Sequence, residues 1–249
     1  MNKKVTFRFY EELNDFLPKS KKKVRFEHKF IDRTSVKDVI ESLGVPHTEI
    51  DLILVNSNFV DFDYIINNGD DISVYPMFES IDISDVQHLR SKPLRQPKFI
   101  CDVHLGRLAR YLRMLGFDVF YTNNLSDEKI VEISLNDKRT ILTRDVGILK
   151  RSEVTHGYFL RSYDVNIQTK EVIKRFDLQK QVRELSRCLE CNSELTKIDK
   201  EKIINDIPSK VAELQEEFSK CPACRKLYWK GSHYRRMLTL IQPLKNFEF

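Results

Sequence analysis

Two Cys-x-x-Cys pairs, Cys188 with Cys191 and Cys221 with Cys224, are the most specific chemical pattern in the sequence. Each pair suits a short turn that aims two thiolates at one ion, and two such turns complete a tetrahedral Zn–S₄ site. The 29 residues between the pairs exceed the spacing of simple ribbons. The stretch KVAELQEEF reads as a helix that fills the gap. Four thiolates leave no open position on the ion, so the zinc is expected to be structural. Asn192 and Pro222, beside the cysteines, suit tight turns. Cys101 has no second cysteine nearby and reads as a buried strand side chain.

A second set of residues has chemistry only if the chain brings it together. Asp102 closes the apolar run FIC, and Asp145 closes TILTR. Asp127 opens a helical stretch after DVFYT, and Asp164 follows YFLRS. In an open parallel sheet, ligands collect at the carboxyl ends of the strands. Carboxylates gathered there repel one another unless a cation lies among them. An all-oxygen set of this kind suits Mg²⁺ or Mn²⁺. An ion so held generates hydroxide from water and stabilises a phosphoryl group in transfer, which is the chemistry of a metal-dependent nuclease. Asp127 and Asp164 also have a plain structural reading, because acids at helix starts oppose the macrodipole. His104, near Asp102, reads as a surface residue.

Basic residues could bring nucleic acid to such a site. In LGRLARYLRMLG, Leu105, Leu108, Leu112 and Leu115 make an apolar stripe and Arg107, Arg110 and Arg113 lie off it. Arg110 and Arg113 are candidate phosphate contacts, since a guanidinium is a planar fork of donors; the alternative is a solvated helix face. Arg144 is a phosphate contact or an ion-pair partner of Asp145. After the second cysteine pair, CRKLYWKGSHYRRM interleaves Trp229, His233 and Tyr234 with Arg235 and Arg236. Bases stack on such rings while cations meet phosphates; equally, Tyr228 and Trp229 could pack the ribbon.

The elements that must position these residues fall into four segments. Residues 1–80 read β-β-α-β-β: KKVTFRFY and KKKVRFEHKF as hairpin arms with NDFLPKS as the turn, the helix SVKDVIESLG ended by Gly44, then two short strands. Residues 81–97 are polar, carry Pro93 and Pro97, and read as a linker. Residues 98–185 alternate strand and helix, the pattern of a parallel sheet flanked by helices. Residues 186–249 hold the cysteines. The fold class is α/β, with an α+β domain before it and a zinc ribbon after it.

The totals agree. The 249 residues suffice for two or three domains, 41% hydrophobic content supports real cores, and a net charge of +5 permits an anionic partner without requiring one. The start, MNKKVTFRFYEEL, has no apolar signal region, and no run approaches the length of a membrane span. With four of five cysteines in Cys-x-x-Cys pairs, metal is favoured over disulfides. A cytoplasmic protein is expected.

The segments KFICDVHLGRLARYLRMLGFDV, LSDEKIVEIS, ILTRD and CPACRKLYWKGSHYRRM together resemble the Mut-seven C-terminal RNase family. That resemblance implies a PIN-like nuclease core with an appended zinc ribbon, RNA as substrate, and Asp102, Asp127 and Asp145 as its acidic set. Asp164 rests on the strand-end reasoning. LILVNSNFVDFDYIINNGDDISVYPMF resembles the ubiquitin-like sulfur carriers of the β-grasp class. Those carriers end in Gly-Gly, which is absent here, so docking or packing is the expected role and a protein partner of this domain is a possibility. Two rivals to a ribonuclease remain: an RNA-binding adaptor with little turnover, and a ubiquitin-like interaction module on a nuclease-like scaffold.

Overall fold

The computed structural model describes residues 3–76 and 97–245. The expected linker, apart from Pro97, and residues 77–80 lie outside the described residues.

In the N-terminal domain, β1 (Lys3–Phe9) pairs antiparallel with β2 (Phe26–Phe30), placing Lys3 opposite Phe30 and Phe7 opposite Phe26. Helix α1 (Val36–Ser42) follows, its first turn capped by Ser35, whose Oγ accepts from the Asp38 N–H at 3.1 Å. Gly44 ends it at φ +108°, a conformation that β-carbons disfavour. Strands β3 (Ile50–Val55), β4 (Asn58–Phe59) and β5 (Asp71–Pro76) complete a mixed sheet of order β2-β1-β5-β3-β4, with β1 and β5 parallel. The alternation of β1 sends Val5, Phe7 and Phe9 into one core, where α1 adds Val36, Val39 and Ile40. This is the expected β-grasp arrangement with one strand more than the order β-β-α-β-β: the first of the two strands expected after the helix folds back at Asn56 and Ser57, both left-handed, into the antiparallel pair β3 and β4. The hairpin connection is longer than NDFLPKS. It runs from Tyr10 to Arg25 through two 3₁₀ turns, Glu11–Phe16 and Lys19–Lys21. Buried Asn14 organises it, donating to Phe9 O and Glu11 O and accepting from Lys23 N–H.

Beyond residue 97 come β6 (Lys98–Cys101), α2 (Gly106–Met114), β7 (Val119–Phe120), α3 (Asp127–Asp137), β8 (Arg139–Thr143), α4 (Val146–Leu149), β9 (Gly157–Phe159) and α5 (Val165–Arg175). Strands β6 and β7 run parallel, with Phe99 opposite Val119; so do β8 and β9, with Leu142 opposite Tyr158. Each pair is joined through a helix, as the alternation predicts. Leu105, Leu108, Leu112 and Leu115 are all buried. The four-residue helix α4 is too short to leave a periodic signature, and TILTRD bends into it after Thr143 instead of continuing as strand.

The C-terminal segment forms an antiparallel sheet of β10 (Thr196–Ile198), β11 (Phe218–Lys220) and β12 (Leu227–Trp229). Helix α6 (Ser209–Leu214) lies in the long gap, shorter than KVAELQEEF because Phe218 belongs to β11. Helix α7 (Ser232–Ile241) packs on α2.

The chain divides into two compact units. One joins the N-terminal domain to Ser126–Phe159; the other joins Pro97–Leu125 to the residues from Leu160 onward. Among the described residues, no helix is long and apolar enough to cross a membrane.

Candidate functional site

The two cysteine turns are built alike. In the first, Asn192 N–H donates to Cys188 O and Cys188 N–H to Ser193 O; in the second, Arg225 N–H donates to Cys221 O and Cys221 N–H to Lys226 O. Asn192 (φ +72°) and Arg225 (φ +62°) turn left-handed immediately after each pair, folding the chain back so that both thiols face one way. The four Sγ atoms lie within 4.8 Å of one another, with Cys188–Cys224 at 3.5 Å and Cys191–Cys221 at 3.2 Å. Thiolates about 2.3 Å from a zinc ion stand about 3.8 Å apart, so the cluster has the size and donor set of a structural zinc site. All five cysteines are thiols, not disulfides.

Charge argues the same way. Burial opposes ionisation of Cys191, but hydrogen bonds with Ser193, Cys221 and Cys188 bring its thiol down to about 6. Cys224, although a backbone N–H at Lys226 favours its thiolate, is pushed up to about 12 by burial and the neighbouring thiols. Four touching thiols cannot all ionise among themselves; a cation resolves the conflict.

The first turn is keyed to the helix that carries the arginine motif. Arg113 is 4% exposed. Its Nε and Nη2 donate to Val119 O at 3.0 and 2.8 Å, and its Nη1 donates to Leu189 O and Glu190 O at 3.0 Å. Asn192 accepts from Val119 N–H at 2.9 Å and donates to Asp118 at 2.8 Å. Arg113 is thus not the phosphate contact that its place off the leucine stripe suggests. It is a buried clasp between α2, β7 and the first cysteine turn, and its fork of donors already meets carbonyls. Arg110, one turn earlier on the solvent side of the stripe, is exposed.

The four acids each stand after a strand, in different roles. Asp102 directly follows β6, is 6% exposed, and its side chain does not cap the 3₁₀ turn Val103–Leu105 that comes next. Asp127 is the first residue of α3, but the capping acceptor there is Ser126. Asp145 caps α4, its Oδ1 accepting from Gly147 N–H at 2.6 Å. Asp164 caps α5, its Oδ1 accepting from Asn166 and Ile167 N–H at 2.9 and 3.0 Å. Asp102 and Asp164 belong to one compact unit, Asp127 and Asp145 to the other. Arg144 places its guanidinium 5.9 Å from the centre of the Phe159 ring.

On the tail, β12 alternates. Leu227 and Trp229 pack on the small core of Ile203, Ile207 and Phe218. Tyr228 faces the other way, its hydroxyl 3.1 Å from Cys188 Sγ and accepting from Leu189 N–H at 3.2 Å. Trp229 is therefore a half-buried ribbon side chain. Trp229 and Tyr234 border a cavity of about 630 Å³ beside the ribbon sheet. His233, Arg235 and Arg236 are exposed on α7.

A model of the Mut7-C RNAse domain matches residues 97–241, and a model of the Mut7-C ubiquitin domain matches residues 2–82. The chain belongs to the Mut7-C RNase-domain family. No curated protein and no solved structure matches it.

The Mut7-C RNase match spans the four acids, the four cysteines and α7. Within it, three contributors have no sequence signature of their role. Tyr121 donates to Val103 O at 2.9 Å. Burial raises its pKa, and the Asp102 charge raises it further against the opposing pull of Arg113. It reaches this place because Gly106 has no β-carbon; one there would stand 2.6 Å from the Tyr121 hydroxyl. Arg151 binds Glu128 at 2.7 Å and also feels the charge of Asp127. Its hydrogen bond holds the Glu128 carboxyl down at about 2. Tyr228 braces Cys188, as described above. None of the three shares a periodic or spaced pattern with the residues it contacts; only the aromatic density of LYW hints at Tyr228.

Proposed function

We propose that this Mut7-C protein is a cytoplasmic, Mg²⁺- or Mn²⁺-dependent ribonuclease. The observation that carries the reading is Asp102: a buried carboxylate at the carboxyl end of a parallel strand, not used as a cap, in a chain of an RNase-domain family. Asp102, Asp127 and Asp145 would hold the ion, with Asp164 assisting, on the strand-end principle of parallel sheets. Carboxylates fit it, because hard divalent cations take oxygen donors. When bound, the ion supplies charge neutralisation and a more acidic water. The acids would hold the ion, orient a water toward phosphorus and receive its proton. The zinc turns, clasped by Arg113, are structural. Arg110 and Arg144, with His233, Tyr234, Arg235, Arg236 and the outer edge of Trp229, would guide single-stranded or structured RNA. Domain limits at 1–80, 98–185 and 186–249, with a linker at 81–97, suit this division of labour.

Manganese-dependent cleavage of a mixed RNA preparation tests the proposal. Asp102→Asn should lower the rate at least about a hundredfold, the scale for losing a group that stabilises transition-state charge, while the protein stays folded. Cleavage that persists at the parent rate in Asp102→Asn removes the assignment. The second reading, an RNA-binding adaptor with little turnover, draws support from the caps, since Asp145 and Asp164 both already accept from helix amides. RNA binding without manganese-dependent cleavage by the parent chain would favour it.

A further inference from the structure

The N-terminal domain and residues 126–159 share one compact unit, and directional hydrogen bonds join them. At the end of α4, Lys150 Nζ donates to Glu41 O at 2.6 Å. In the loop that follows, His47 Nε2 lies 2.8 Å from Val154 O. At the last residue of β9, Phe159 N–H donates to Glu49 Oε1 at 2.6 Å, and the Phe159 ring meets Phe16 edge-on at 5.2 Å. His47 and Glu49 belong to one 3₁₀ turn, His47–Glu49, and are 8% and 0% exposed. Within the segment, Gly157 makes room for Leu149, whose Cδ2 would stand 2.4 Å from a β-carbon there; Thr48 Oγ1 would lie at ordinary contact distance, 3.6 Å.

The His47 ring has a defined arrangement of donors. A carbonyl cannot donate, so Nε2 must carry the proton that Val154 O accepts. Nδ1 then meets Glu41 Oε1 at 2.6 Å through one further proton, placed on the ring or on the carboxyl. Glu41 thereby fixes the ring, and the ring fixes the loop. Since α4 opens at Asp145 and closes at Lys150, the N-terminal domain grips the far end of the helix whose first cap is a candidate metal ligand.

We propose that Glu41, His47 and Glu49 are positioning residues, through which the ubiquitin-like domain holds the α4–β9 segment and with it Asp145. The partner of this face of the domain is its own chain. The consequence for cleavage rests on the ribonuclease reading; the fastening itself does not.

The test follows hydrogen exchange of residues 148–159 and Mn²⁺-dependent cleavage of a labelled single-stranded RNA on the same full-length preparations. Glu49→Leu and His47→Ala, checked by circular dichroism to be folded, should speed exchange in that segment about tenfold or more, the effect of losing one hydrogen bond that holds it. They should lower kcat with little change in KM, since α7 is untouched. Glu49→Gln keeps an acceptor for Phe159 N–H, and Glu41→Gln offers an amide donor to Nδ1, so both should behave like the parent while Glu41→Leu should not. Exchange unchanged in folded Glu49→Leu and His47→Ala overturns the fastening. Faster exchange with unaltered kcat overturns the positioning role. Cleavage that survives Asp145→Asn would sink the acid-site reading alone, leaving the exchange result in place.

Discussion

The cysteine cluster and the acids contrast in how far apart their parts lie in the chain. Each Cys-x-x-Cys turn is a local object. Its left-handed residue and its two backbone hydrogen bonds are made within six residues, so half of the four-thiol cluster exists wherever the turn forms. The acids have no such local unit. Each has an immediate structural context of its own: Asp145 and Asp164 cap helices, Asp127 lies inside a capped first turn, and Asp102 alone is buried without a capping role. A site made of closed local pieces announces itself by spacing, whereas one made of strand ends depends on topology and must be separated from ordinary helix capping.

The largest effect should come from breaking the local pieces. Removing the metal with a chelator, or Cys221→Ser, should unfold the ribbon around residues 186–245, since structural zinc binding contributes on the order of 10 kcal/mol to small sites of this type. Elemental analysis should find one zinc per chain, and circular dichroism should report the loss. A reduced, metal-free preparation that keeps its ribbon structure would contradict the site.

Next comes the clasp between the regions of the C-terminal unit. Arg113→Met should cost about 3 kcal/mol of stability, because it strands the buried carbonyl of Val119 and removes the donor shared by the part-buried carbonyls of Leu189 and Glu190. RNA affinity of the folded fraction should be unchanged. A variant of parent stability with weakened RNA binding would make Arg113 a phosphate ligand after all.

The exposed arginines of α7 make the opposite pattern. Arg235→Ala with Arg236→Ala should leave the melting temperature within a degree or so. The same pair should flatten the salt dependence of RNA binding, by about 0.7 in slope for each phosphate that is no longer neutralised. Trp229→Ala should instead lower the melting temperature, through its packing on Phe218. An unchanged salt slope in the double arginine variant would take α7 off the RNA path.

The smallest effect separates capping from metal binding. Asp164→Ala should cost about 1 kcal/mol, the scale of a lost N-cap, and reduce cleavage only modestly. A drop in cleavage as deep as that of Asp102→Asn, without matching loss of stability, would promote Asp164 to a full metal ligand.

Much of this is legible in the residues. The order β-β-α-β-β, the strand–helix alternation after residue 97 and the cysteine turns follow from periods of two and 3.6 and from Cys-x-x-Cys spacing. The roles of individual polar side chains are not. Arg113 lies off the leucine stripe and has the sequence appearance of a solvated arginine, yet it is buried because the first cysteine turn, more than seventy residues away, covers it. Helix α4 is too short to show a period, and the long excursion from Tyr10 to Arg25 depends on Asn14 bonding backbone atoms that no local pattern specifies.

By itself, then, the sequence determined what short-range physics can encode: which stretches are strands or helices, and that four thiols would meet as two turns. Only the tertiary structure decided which arginine is a clasp, which tyrosine braces a cysteine, and that the turn at His47–Glu49 grips residues more than a hundred positions later. Hydrogen-bond partners at that separation are chosen by which surfaces close on one another, and a linear pattern carries no record of that choice.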